Sequence, residues 1–168
     1  MWWIKLPVVL LLLAMAWQDW KFRAIAIWLF VLLGAGLVFL KCNTLGTSIF
    51  FSDLKLNLIF LALQLGALFG YFAIKERRFV NLFAGYFGEG DLLFLLLLAS
   101  YLSFFNFLAF HVFSLLLALL LGLCLSGKHK KIPLAGIQAF FLVVLMGIDH
   151  LSNDFSLIQD FWILSFYT

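Results

Sequence analysis

The sequence predicts an all-α, polytopic integral membrane protein of about six transmembrane helices, at about 20 apolar residues per crossing. Three observations carry that prediction. Of 168 residues, 66% are hydrophobic and 11% charged, whereas soluble domains are about half apolar and about a quarter charged. The apolar residues form runs of spanning length. The charges gather in short clusters between those runs. Twenty-two phenylalanines contribute to an aromatic content of 19%, so too little polar surface remains to coat a water-soluble body. A soluble enzyme, a disordered tail and a nucleic-acid-binding module are excluded. The net charge of +3 then reads as a guide to orientation in a bilayer rather than to an acidic partner.

Apolar stretches run over 2–18, 24–40, 54–74, 91–104, 107–125 and 133–148. Trp2, Trp3, Trp17 and Trp20 bracket the first as interfacial aromatics do. From Leu92 to Ser126 there is no Asp, Glu, Lys or Arg. As one helix that segment would reach roughly 50 Å against a hydrocarbon core of about 30 Å, so it must fold back. Ser103 to Asn106, its most polar stretch, is the expected turn. The whole of 1–168 reads as one membrane-embedded domain. The tail 149–168 is expected outside the membrane or in the interface, where Phe155, Leu157, Ile158, Phe161, Trp162 and Leu164 would lay it down as an amphipathic helix.

Six spans alternate sides, which puts the links near 19–23, 75–90 and 127–132 on one face. The N-terminus, a link over 41–53 and the turn at 104–106 share the other. The first set holds Lys21, Arg23, Lys75, Arg77, Arg78, Lys128, Lys130 and Lys131, and the second holds Lys5, Lys41 and Lys55. Basic residues favour the cytoplasm, so the first set is expected there, with both termini extracytoplasmic and the protein multi-pass in the cytoplasmic (inner) membrane.

Acidic residues at membrane depth are costly, so those retained there are candidates for chemistry. Asp19 ends the first span and Asp91 opens the fourth, directly after Gly88-Glu89-Gly90. Both are expected at the cytoplasmic face. Two carboxylates brought together there can hold one proton between them and activate water against a peptide carbonyl. Gly88 and Gly90 are expected to give the turn before Asp91 access to positive φ and to let a substrate strand approach the backbone. Asp as a plain helix N-cap is the competing explanation.

Three segments carry a family resemblance. Gly88-Glu89-Gly90-Asp91-Leu92-Leu93 resembles the Gly-x-Gly-Asp-x-Lys motif of the type IV prepilin peptidases, which are intramembrane aspartic peptidases. Asp19-Trp20-Lys21-Phe22-Arg23-Ala24-Ile25-Ala26-Ile27 is similar to that family's other aspartate segment, and Lys130-Lys131-Ile132-Pro133-Leu134-Ala135-Gly136 resembles the basic start of its final span. The resemblance runs in the family's order over nearly the whole chain. The chain departs from the pattern at Ala26 and Ile27, where the family has Pro and Asn, and at Leu93, where it has Lys.

The resemblance implies an aspartic endopeptidase that cleaves the basic leader of prepilin-like or pseudopilin precursors at the cytoplasmic face. Asp19 and Asp91 would be catalytic, and Gly88, Glu89, Gly90, Lys21 and Arg23 would contact substrate. No metal or organic cofactor is implied. Glu89 would meet the basic leader or stay a solvated carboxylate, and Lys21 and Arg23 would tune Asp19 or anchor at lipid headgroups. The few residues between the first two spans leave no room for the methyltransferase region of larger relatives. Precursor proteins and membrane lipids are the expected partners, with no nucleic acid. The alternatives are a non-enzymatic membrane subunit, such as a channel, carrier or assembly factor, and an inactive peptidase homologue. Cys42 and Cys124 lack metal-ligand spacing and read as small apolar residues. His111 reads as a packing or interfacial residue, and Asp53, Asp149, Asp154 and Asp160 fall on the face opposite the candidate pair.

Overall fold

The computed structural model describes residues 2–77, 88–124, 133–152 and 155–160. Among them there are six helices and no strands: α1 (Trp2–Phe22), α2 (Ile27–Leu45), α3 (Thr47–Glu76), α4 (Glu89–Tyr101), α5 (Phe104–Cys124) and α6 (Leu134–Leu151). The all-helical expectation holds. Four helices, α2, α3, α5 and α6, are long and apolar enough to cross a membrane. With 13 residues, α4 reaches only about 20 Å, less than a hydrocarbon core. Trp3, Ile27, Val31, Leu63, Ile74 and Leu151 are each at least two-thirds exposed, or nearly so. Outward apolar surface on this scale suits lipid rather than water and points to a membrane protein.

Helical periodicity decides what faces inward. In α1 the buried residues are Val8, Leu12, Met15 and Asp19, spaced four, three and four apart along one stripe. Val8, Leu12 and Met15 pack with Leu33 and Leu37 of α2, Phe94 and Leu98 of α4, and Ala139 and Leu142 of α6 in one core. The lining of two cavities shows how these helices run. One gathers the end of α1 with the starts of α2, α4 and α6. The other gathers the start of α1 with the ends of α2, α4 and α6. Thus α1 runs antiparallel to the other three.

The expected link over 41–53 is not a loop. Helix α2 continues to Leu45, Gly46 turns the chain at φ 84°, and α3 starts at Thr47. Lys41 is fully buried rather than a surface charge. Its Nζ pairs with Asp53 Oδ2 at 2.8 Å and donates to Leu102 O at 3.0 Å. Asn57 Nδ2 donates to Ala99 O and Leu102 O at 2.9 and 3.0 Å. The Ala99 and Leu102 carbonyls at the end of α4 therefore have side-chain partners, which helps to end a helix inside an apolar body.

The turn expected at Ser103 to Asn106 lies slightly earlier, at Leu102 and Ser103, and Asn106 is already in the first turn of α5. Asn106 Nδ2 instead reaches Ser156 O at 2.8 Å and Leu157 O at 3.0 Å. Residues 155–160 are not the expected amphipathic helix. Their backbone is tied down by this amide and by Asp149 Oδ1, which accepts from Leu157 N at 2.9 Å. Leu157 is buried in the core rather than laid in an interface. His111 packs against Phe60 and Phe107 and meets Gln64 at 2.6 Å, a packing role. Arg78, Lys128, Lys130, Lys131, Ile132, Asp154, Phe161, Trp162 and Leu164, and the Cys124 side chain, lie outside the described residues.

Candidate active site

Asp19 reaches the end of the bundle because it is the last member of the buried stripe of α1. The helix then stops at once. Arg23 takes a left-handed conformation, φ 56°, with its N–H donating to Asp19 O at 3.0 Å. Ala26 N donates to Gln18 Oε1 at 2.8 Å, which closes the reversal into α2. A non-glycine residue in this region stores backbone strain of order 1–2 kcal/mol. Here that strain lies four residues from a candidate catalytic carboxylate, where such outliers concentrate.

Asp91 stands in the first turn of α4, which starts from an N-cap at Gly88. Positive φ is not what the glycines supply: Gly88 has φ −77° and Gly90 is helical. What Gly88 lacks is volume. A Cβ there would lie 2.6 Å from Asp91 Oδ2, so a side chain at 88 would displace the carboxylate. The sequence expectation named the right residue for the wrong physical reason.

The start of α6 joins the two acids. Ala135 N donates to Asp91 Oδ1 at 2.9 Å, and Gly136 N donates to Asp19 Oδ2 at 2.6 Å. These are adjacent amides at a helix N-terminus, unpaired within the helix and favourable to anions. Successive backbone nitrogens are at most about 4 Å apart, so the two accepting oxygens lie within about 9 Å of each other. The charge of Asp19 acts on Asp91, and that of Arg23 acts on Asp19. Gly136 permits the contact: a Cβ there would stand 2.9 Å from Asp19 Oδ2 and 3.3 Å from Ala16 O.

Both aspartates open onto one cavity of about 410 Å³. Glu89, Gly88, Gly90 and Arg23 share its lining, with Ile25, Ile27, Phe30, Leu93 and Leu134 as an apolar wall. Two of the departures from the family pattern, Ile27 and Leu93, thus meet in that wall. Lys21 does not join the lining. It is exposed, with its Nζ 5.0 Å from the Phe22 ring and 5.8 Å from that of Trp17. Among the described residues no group of three or more His, Cys, Asp or Glu side chains is placed to hold a metal ion.

The residues missed by sequence reasoning are the amide donors of Ala135 and Gly136. A backbone donor leaves no mark in side-chain chemistry. The only signals were Pro133, which suits a helix start, and the glycine at 136. Compared with known protein families, curated proteins and solved structures, the chain matches none.

Proposed function

We propose that this protein is an intramembrane aspartic endopeptidase that removes the basic leader of prepilin-like or pseudopilin precursors. One observation carries the proposal: Asp19 and Asp91 are held by consecutive amides of a single helix end, over a shared cavity, with no salt bridge to either among the described residues. Buried carboxylates kept for structure are normally paired with a cation. A pair left unpaired beside a cavity is suited to general acid–base work.

In the proposed reaction one carboxylate of the pair is protonated and donates to the scissile carbonyl oxygen. The other takes a proton from water as that water attacks the carbonyl carbon. Collapse of the tetrahedral intermediate breaks the C–N bond, and a proton passes to the departing amine. Helix α6 orients each acid, so its N-terminus is part of the machinery. Glu89 receives the basic leader, and the wall of Ile27, Phe30 and Leu93 receives apolar residues at the junction. The resemblance in the three segments supports this assignment. In the finer topology we propose, the chain crosses the cytoplasmic membrane six times with this end in the cytoplasm and both termini outside. The short crossing of α4 is completed by the capped turn at Leu102 and Ser103.

The decisive experiment incubates the purified protein with candidate precursors from the same genome and identifies the released leader by mass spectrometry. Cleavage lost in both Asp19→Asn and Asp91→Asn, with membrane expression intact, supports the reading. No cleavage by the unaltered protein leaves the non-enzymatic subunit or the inactive homologue. For topology, a cysteine introduced at Lys130 should react only with reagents that reach the cytoplasm, and one at Asn153 from outside. The reverse pattern overturns the proposal.

A further inference from the structure

The amides of Ala135 and Gly136 hold both candidate acids, so whatever fixes the rotation of α6 also fixes the geometry of the pair. Few side chains there are able to do so. Ala135, Gly136 and Ala139 are buried but present almost nothing to interlock with a neighbouring helix. Of residues 134–139, only Gln138 has a polar side chain, and it is completely buried. Its Nε2 donates to Ser114 Oγ of α5 at 3.2 Å. The Ser114 hydroxyl, also completely buried, donates in turn to His111 O at 3.1 Å, which leaves its oxygen free to accept from Gln138. His111 itself meets Gln64 of α3 at 2.6 Å. A polar brace thus runs from α3 through α5 to the start of α6.

Stability does not account for Gln138. Its Oε1 is buried without a hydrogen-bond partner among the described residues, and an unmatched buried acceptor costs free energy that an apolar side chain of similar length would avoid. Hydrogen bonds between membrane helices contribute little on average, so a single bond to Ser114 does not offset that cost. What the bond supplies is direction. Gln138 lies about 200° around the helix from Gly136, at 3.6 residues per turn. Gly136 faces Asp19 and the Ala16 carbonyl of α1, and Gln138 therefore holds α6 from nearly the opposite side. Turning α6 about its axis would break this bond and swing the Ala135 and Gly136 amides away from the two carboxylates.

We propose that Gln138, acting through Ser114, is a positioning residue for the Asp19–Asp91 pair, fixing the rotation of α6 and with it the direction of the two amides that hold the acids. Its effect on cleavage rests on the peptidase reading above, whereas its effect on the amides does not.

The test uses the isotope-labelled full chain in lipid nanodiscs. The Gly136 amide proton, donating to a carboxylate at 2.6 Å, should resonate well downfield of ordinary amides, and its signal is identified by its disappearance in Gly136→Ala. Gln138→Met, which keeps length and loses the amide, and Ser114→Ala should each move that signal towards the ordinary range. Each should also lower kcat for precursor cleavage several-fold with KM unchanged, since neither residue lines the Asp19–Asp91 cavity. The double variant should do no more than either single one, because the same bond is lost in all three. An unmoved Gly136 signal in both single variants would overturn the proposal whatever happens to cleavage, and additive effects in the double variant would overturn it in favour of separate packing losses. Collapse of the amide spectrum in both single variants would make the bond a folding contact and overturn it too. A moved signal with unchanged kcat would show that the amide direction does not govern the reaction. A parent protein that cleaves no precursor sinks the peptidase reading alone, and the Gly136 signal then still decides whether Gln138 directs α6.

Discussion

The acidic residues at the two ends of the bundle are treated in opposite ways. At one end Asp53 is paired with Lys41, Asp149 is paired with Lys5 and takes Leu157 N, and Asp160 accepts from Ser103 Oγ at 2.6 Å. These contacts fasten α1 to α6, α2 to α3, and the tail to the turn between α4 and α5. At the other end Asp19 and Asp91 meet backbone amides, with no salt bridge to either among the described residues, and open onto a cavity. A carboxylate neutralised by a buried cation is a fixed structural element. One that keeps an unneutralised charge beside accessible space can exchange protons. The contrast separates carboxylates that fasten helices from carboxylates that face open space.

The contrast breaks most sharply at the open end. Asp19→Asn and Asp91→Asn should each abolish precursor cleavage while leaving the thermal unfolding midpoint in detergent close to that of the parent protein, since an amide still accepts from Gly136 N or Ala135 N. Cleavage surviving in either variant would remove that residue from the reaction. At the paired end the outcome should invert. Lys41→Met leaves Asp53 without its cation and removes one of the two donors to Leu102 O, and should cost about 3–5 kcal/mol of stability. Pairing it with Asp53→Leu should recover much of the loss, and denaturant titration of the single and double variants measures this directly.

Two smaller effects sharpen the comparison. Gly136→Ala places a Cβ against Asp19 and the Ala16 carbonyl. Strain of about 1–3 kcal/mol is typical of such overpacking, and it should fall on kcat more than on KM because the displaced atom belongs to the carboxylate. A variant with normal kcat would show that the amide contact does not orient Asp19. Glu89→Gln should act least, raising KM for precursors with basic leaders and leaving those with neutral leaders unchanged. A defect as deep as that of Asp91→Asn would place Glu89 in the chemistry.

Some of this organisation was legible in the sequence for definite reasons. Helical class follows from composition and run length, since a chain this apolar must satisfy its backbone hydrogen bonds internally. Asp19 and Asp91 could be singled out because a carboxylate at membrane depth is costly and few are present. Gly88 was legible as a residue but not in its role. Its φ is ordinary, and the need for glycine comes from the carboxylate folded back against it, which is a packing fact.

The sequence by itself determined the helical class and the approximate places of the six apolar helices, because both depend on run length and transfer energy. Only the tertiary structure decided the rest. Lys41 looks like a loop cation until Asp53 and the end of α4 surround it. Residues 155–160 look amphipathic until Asn106 and Asp149 take their backbone groups. The two aspartates lie 72 residues apart in the chain and meet through amides of a third segment. Backbone donors are the same at every non-proline residue, so their direction can be known only from the path of the chain in space.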